Sequence, residues 1–265
     1  MRPLTVGGIG VCAGGLADWA HAARTLLDPA TFVPGPAPKG APEILPPTER
    51  RRMNETSRLA CLAAADALTA FPDGAAATIP AIFVSADGDG SVLAPMLHAL
   101  SQREIVVSPT VFHNSVYNAP AGYWSIATRS TAPSTTICAD AGSFAAGLME
   151  ACAQAHATGG RVLLVAVDAP FPESIRVLGA SAAPFACALL VDAGQRDGGP
   201  RFERWAIVDG AARDEESTDP LARAFAGNAA AAALPLLRAL ARGERARVAL
   251  PYLDGSRLEL EVLPR

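Results

Sequence analysis

Short, wholly apolar runs alternate along the chain with longer stretches whose apolar residues recur at helical spacing. Leu4-Thr5-Val6-Gly7-Gly8-Ile9-Gly10-Val11 reads as a buried strand rich in glycine, and Asp18 to Leu27 as an amphipathic helix. Residues 33–48 hold Pro34, Pro36, Pro38, Pro42, Pro46 and Pro47, which rule out a helix or a central strand and predict an extended loop. A helix is expected to resume at Glu49, with Thr48 as its N-cap, and to run through the Ala/Leu stretch from Arg58 to Ala70 until Pro72-Asp73-Gly74 stops it. Ala81 to Ser85 is short, apolar and bounded by Pro80 and Asp87-Gly88-Asp89-Gly90, the signature of a strand covered on both faces.

The same alternation continues to the end. Ile105-Val106-Val107 leads into Ser108-Pro109; Asn118 to Thr128 looks helical despite Pro120; Ser134 to Ala139 is β-branched and strand-like. Ser143 to Ala157 predicts a helix, and Arg161 to Val167 and Phe185 to Val191 predict fully apolar strands. Arg204 to Val208, an Ala/Leu helix over Asn228 to Ala241 and a hairpin from Arg247 to Val262 turning at Asp254-Gly255 complete the pattern. Repeated strand-helix alternation makes this an α/β protein with helices on both sheet faces.

Composition narrows the function. A chain of 265 residues that is 50% hydrophobic and 18% charged can bury a large core. A net charge of -4, with Lys39 as the sole lysine, supplies no basic face for nucleic acid. The start of the chain holds no apolar run long enough for a leader or a membrane span, so the cytoplasm is the expected compartment. Cys12, Cys61, Cys138, Cys152 and Cys187 are scattered without CxxC pairs or a neighbouring histidine, so we expect reduced, small core residues and neither disulfides nor a metal site.

Three local motifs have ordinary alternatives. Gly8-Ile9-Gly10-Val11-Cys12-Ala13 matches a dinucleotide-binding GxGxxA, but no acidic residue ends a second strand about 20 residues on, and no cofactor is expected. Asp87-Gly88-Asp89-Gly90 opens like a calcium loop but lacks the closing Glu, so a turn is expected. Ser143 lacks a flanking glycine elbow and reads as the start of a helix.

The stretch from Ser108 to Asp168 carries more. Ser108-Pro109, Asn118 with Ala121-Gly122, Ala132-Pro133-Ser134-Thr135-Thr136-Ile137, a small-residue turn, a helix and Val162 to Val167 follow in an order that resembles the N-terminal half of β-ketoacyl-ACP synthases. The opening Val6 to Val11 and the region from Pro47 to Arg58 are also similar to this family, above all to short ketosynthase-like chain-length factors of aryl polyene clusters. The resemblance spans about residues 4–192. It implies a thiolase-like half, a mixed five-stranded sheet covered by helices on both faces over residues 1–192, with residues 193–265 as a short α+β extension.

In that family the strand after the Gly-Pro motif ends in a turn carrying a nucleophilic cysteine at a helix N-terminus, whose dipole favours thiolate. Carried over without gaps, the nucleophile position falls on Ala141. Cys138 is the rival, at the cost of a three-residue shift in the following helix; on the first alignment it packs before the turn as a small hydrophobe. The family's two enolate-stabilising histidines and its lysine come from the C-terminal half, whereas here His21, His98, His113 and His156 are the only histidines and none lies beyond residue 156.

The resemblance therefore implies a non-catalytic subunit that pairs with a full-length ketosynthase, in type II polyketide, aryl polyene or fatty-acid-like synthesis. An acyl carrier protein would be met through that complex. Ser134, Thr135, Thr136, Ile137, Cys138 and Ala139 would form the dimer strand, and the loop Thr110 to Asn114 would reach the partner's acyl pocket. There Val111 and Phe112 would act as a stop to chain growth, unless Phe112 is a core aromatic. The alternative is a stand-alone acyl-thioester transferase or hydrolase using Cys138 or Ser143.

Overall fold

The structure, a computed structural model, describes residues 4–40, 42, 44–194, 199–210, 219–253 and 255–264. In chain order its regular elements are β1 (Leu4–Ala13), α1 (Trp19–Leu27), α2 (Pro47–Arg52), α3 (Glu55–Ala67), β2 (Ala81–Val84), α4 (Gly90–Leu100) and α5 (Pro109–Asn114). There follow α6 (Ala119–Thr128), β3 (Ser134–Ile137), α7 (Ser143–Thr158), β4 (Arg161–Asp168), β5 (Phe185–Asp192) and β6 (Arg201–Asp209). The last are α8 (Pro220–Ala224), α9 (Leu234–Arg242), β7 (Ala246–Pro251) and β8 (Ser256–Leu263).

Among the described residues all eight strands join one mixed sheet in the order β3-β2-β4-β5-β1-β6-β8-β7. β2 runs parallel to both β3 and β4, while β5 is antiparallel to β4 and β1. The expected five-stranded sheet is the β3-to-β1 block. The C-terminal strands extend it, because β6 pairs with β1 at Leu4 and Thr5 and the β7–β8 hairpin follows. Gly255 takes φ 75° at the hairpin turn; Asp254, also expected there, lies outside the described residues.

β4 shows why the central strands are apolar throughout. Val162, Leu164 and Ala166 join the core under α1, α7 and α9, while Leu163, Val165 and Val167 join the core under α3 and α6. Each fully buried leucine or valine contributes about 1.5–3 kcal/mol relative to exposure. The glycines of β1 serve this packing: a Cβ on Gly8 or Gly10 would collide with the backbone carbonyl of Ala67 or Ala63 on α3. Asp66 of α3 accepts from the Val11 N–H at 3.0 Å and the Trp19 N–H at 2.6 Å, tying β1 to the start of α1. The GxGxxA-like motif is thus a strand–helix contact inside β1, and α1 begins only at Trp19, capped by Asp18.

Several local expectations are corrected. Thr48 lies inside α2, whose first residue is Pro47, and the cap that matters is Asn54, whose side chain accepts from the Ser57 N–H and starts a separate helix. That helix ends at Ala67, short of Ala70. The expected loop Thr110–Asn114 is helical, started by Pro109. The alanine run before Leu234 is a 3-10 turn over Ala230–Ala233, and the α-helix follows it. Pro120 sits in the first turn of α6, where its missing N–H costs nothing.

Candidate functional site

β3 stops at Ile137, and the chain then turns sharply into α7. Ala139 has φ -144° and ψ 40°, Asp140 takes the left-handed φ 48°, and Asp140–Gly142 form a 3-10 turn leading into Ser143. Asp is one of the few residues besides Gly and Asn that enter the left-handed region readily, and a neighbouring side chain is needed to fix the turn. Ser143 does so: its hydroxyl donates to the Asp140 carbonyl at 2.7 Å and accepts from the Ala139 N–H at 3.0 Å. Gly142 allows the turn to lie against the backbone of Tyr252, and the buried Phe144, Ala145 and Leu148 seat α7 under the sheet.

At the tip of this elbow stands Ala141, exposed, on the wall of an open cavity of about 600 Å³. Ala86, Asp87 and Asp140 line it beside Ala141, and the C-terminal extension supplies the facing wall, including Asn228, Leu234 and Arg238. Arg238 is ion-paired with Asp219. Neither histidine nor lysine is among the lining residues.

The adjoining turn hangs on Asp168, which the sequence reading passed over. Only 1% exposed at the end of β4, its Oδ1 accepts from the Ser85 hydroxyl at 2.7 Å, the Ala86 N–H at 2.9 Å and the Asp87 N–H at 3.2 Å. Its Oδ2 is buried without a partner, and burial pushes the carboxyl up to about 6 despite those donors. Asn228 donates to the Asp168 and Ala183 carbonyls, both at 2.9 Å, and so fastens the C-terminal wall to the same point. An ionisable residue closing a wholly apolar strand was the available signal. Asp87 also sits above the usual carboxylate range, first through burial and then through the neighbouring Asp140.

A second cavity of about 280 Å³ lies between α4, α5 and α6, lined by Val92, Leu93, Met96, Asn114, Val116 and Tyr117 among others, and shares Asp87 with the first. Val111 and Phe112 line neither cavity. Phe112 is 64% exposed, so it is not a core aromatic, while Val111 is half-buried. Around it Leu100, Ile105, Val106, Val116 and Ile126 are exposed as well. β3 is an edge strand whose only partner among the described residues is β2. Of the residues expected in the dimer strand, Ser134, Thr135, Thr136 and Ile137 form β3, whereas Cys138 and Ala139 belong to the turn.

Cys138 is not the packed core residue expected. It is exposed, its thiol 3.3 Å from the Ala86 carbonyl and 3.8 Å from the Tyr117 hydroxyl. Cys12, Cys61, Cys152 and Cys187 are buried as expected. Burial pushes the thiols of the first three up to about 12 and that of Cys187 higher still.

A sequence model of the β-ketoacyl synthase N-terminal domain matches residues 18–251. The chain belongs to that family. The fold agrees along the full length of chains from several solved ketosynthase structures. A ketosynthase (ApeO) in complex with its chain length factor (ApeC) from Xenorhabdus doucetiae superposes with TM-score 0.73 at 22% identity, over 98% of this chain and 99% of the other. The ishigamide ketosynthase/chain length factor gives 0.73 at 12% identity over 99% and 100%. A type II PKS acyl-carrier protein in complex with its ketosynthase (AntDE:AntF) gives 0.77 at 12% over the whole of both chains. No curated protein sequence matches the chain. This β-ketoacyl synthase-like chain has no helix among the described residues long and apolar enough to cross a membrane.

Proposed function

We propose that this chain is a non-catalytic, chain-length-factor-like subunit that pairs with an active ketosynthase and shapes its acyl pocket. The observation that carries the reading is an elbow kept in a left-handed turn, with Asp140 at φ 48° and Ser143 bracing it, while Ala141 stands at its tip. A methyl group cannot attack a thioester. Loss of the nucleophile with retention of the turn fits selection for shape over chemistry.

The pairing surface is β3, open along one edge, together with the exposed apolar residues of the α4–α5–α6 rim. Structural neighbours that are complexes of a ketosynthase with a chain length factor or a carrier protein support this choice of partner. Val111 and Phe112, on α5 and outside both cavities of their own chain, would face the partner's pocket and limit chain growth. The acyl carrier protein would be met through that complex, in a cytoplasmic assembly. Residues 1–192 act as the ketosynthase-like half, with residues 193–265 as an extension closing the cavity at Ala141.

The test is co-expression with a ketosynthase from the same cluster. A stable heterodimer is expected, and Phe112→Ala should lengthen the products; an unchanged product length counts against the stop. One observation favours a second reading, an acyl-thioester transferase: Cys138 is exposed beside Tyr117. Mass spectrometry of the chain alone with an acyl carrier thioester separates the two, since an adduct on Cys138 would support the transferase. Ser143 is buried with its hydroxyl already engaged, which argues against its use as a nucleophile.

A further inference from the structure

The carboxylates around Ala141 bear on why the elbow is silent. Asp140 precedes Ala141, and Asp87 lines the same cavity from the turn after β2. Asp87 is anchored at its backbone, where its N–H donates to the Asp168 carboxylate at 3.2 Å. Among the described residues, the other charged groups on the cavity wall, Arg238 and Asp219, are paired with each other. The N-terminus of α7, which begins at Ser143, would ordinarily favour an anion at position 141, and Asp140 brings a carboxylate to the 3-10 turn directly before it.

We propose that Asp87 and Asp140 form an electrostatic block at the elbow, separate from the missing thiol, which disfavours any anion at position 141, whether a thiolate or a carboxylate-bearing acyl group. This rests on Ala141 occupying the nucleophile position. Restoring the cysteine alone would then not restore a nucleophile, because adjacent carboxylates raise a thiol's pKa and repel an anionic substrate. The cavity is left suited to neutral acyl groups.

The experiment places Ala141→Cys in a Cys138→Ser background; the remaining cysteines are buried and protonated. Alkylation is followed against pH with neutral iodoacetamide and anionic iodoacetate. The new thiol is expected to titrate about one unit above an ordinary cysteine, reacting roughly tenfold more slowly at neutral pH. Iodoacetate should be disfavoured beyond its ratio on free cysteine, and Asp140→Asn or Asp87→Asn should each recover part of both effects. An ordinary thiol pKa indifferent to both Asn variants overturns the proposal. Should the cysteine variant fail to fold, carboxyl NMR titration of the native chain serves: Asp140→Asn must lower the Asp87 midpoint, and no movement overturns the block. A wrong assignment of Ala141 would show elsewhere, as acyl transfer to Cys138 of the wild type.

Discussion

Strands β4 and β5 and the rim running from α4 through α5 are both rich in apolar residues, but only the strands bury theirs inside the chain. All eight residues of β5 are buried between helices on two faces. On the rim, Leu100, Val106 and Phe112 are 56%, 72% and 64% exposed, and β3 leaves one edge unpaired among the described residues. The difference teaches that hydrophobicity builds stability in the first region and leaves an exposed apolar surface in the second. Substitutions should therefore act on folding in one and on association in the other.

The sharpest way to test that division is Gly10→Val. Its Cβ would strike the α3 backbone, which cannot yield as a side chain can, so a loss of about 3 kcal/mol or more, or of soluble protein, is expected in denaturant unfolding. Next is the pH dependence of Asp168. Its folded pKa, about 6, lies above the ordinary carboxylate value of 3.8, so the folded state binds the proton more tightly. That contribution is fully present below about pH 4 and is lost as pH rises to 6, amounting to roughly 3 kcal/mol. Asp168→Asn, which keeps an acceptor for the three donors, should gain on wild type by about that much between pH 4 and pH 7 in unfolding midpoints. A constant difference would sink the assignment.

On the rim the pattern should invert. Phe112→Asp is expected to change unfolding free energy by no more than about 0.5 kcal/mol but to weaken heterodimer formation by about 2 kcal/mol, roughly thirtyfold in Kd. Equal losses in both measurements would erase the distinction. The smallest effect belongs to the elbow: Ser143→Ala removes two hydrogen bonds and should cost about 1–2 kcal/mol in thermal unfolding.

The legible parts of the fold are those with strong local signals. β4, β5 and α7 emerge within a residue or so of their predicted bounds, since a run buried on both faces or a long apolar-periodic helix needs no distant information. α4 escaped notice because Pro95 interrupts it; its start depends on Asp89, which caps Ser91 and also accepts from Thr56 of α3. The break between α2 and α3 turns on Asn54 in the same way. At the site, motif order pointed to Ala141, and the structure puts that residue in the turn between β3 and α7. Cys138 was misjudged as packed, because exposure just past the end of an edge strand is not written in its neighbours. Asp168 was missed because its partners, Ser85 to Asp87, lie more than 80 residues away.

The amino-acid sequence by itself determined the α/β alternation, the apolar central strands, an alanine at position 141 and the lack of histidines beyond residue 156. These depend on residue identity and short-range periodicity. Tertiary structure alone decided that the C-terminal strands extend the same sheet, that Asn228 and Asp168 fasten them over the elbow, and that Phe112 faces outward. Burial and hydrogen-bond partnership between segments far apart in the chain exist only once the chain has folded.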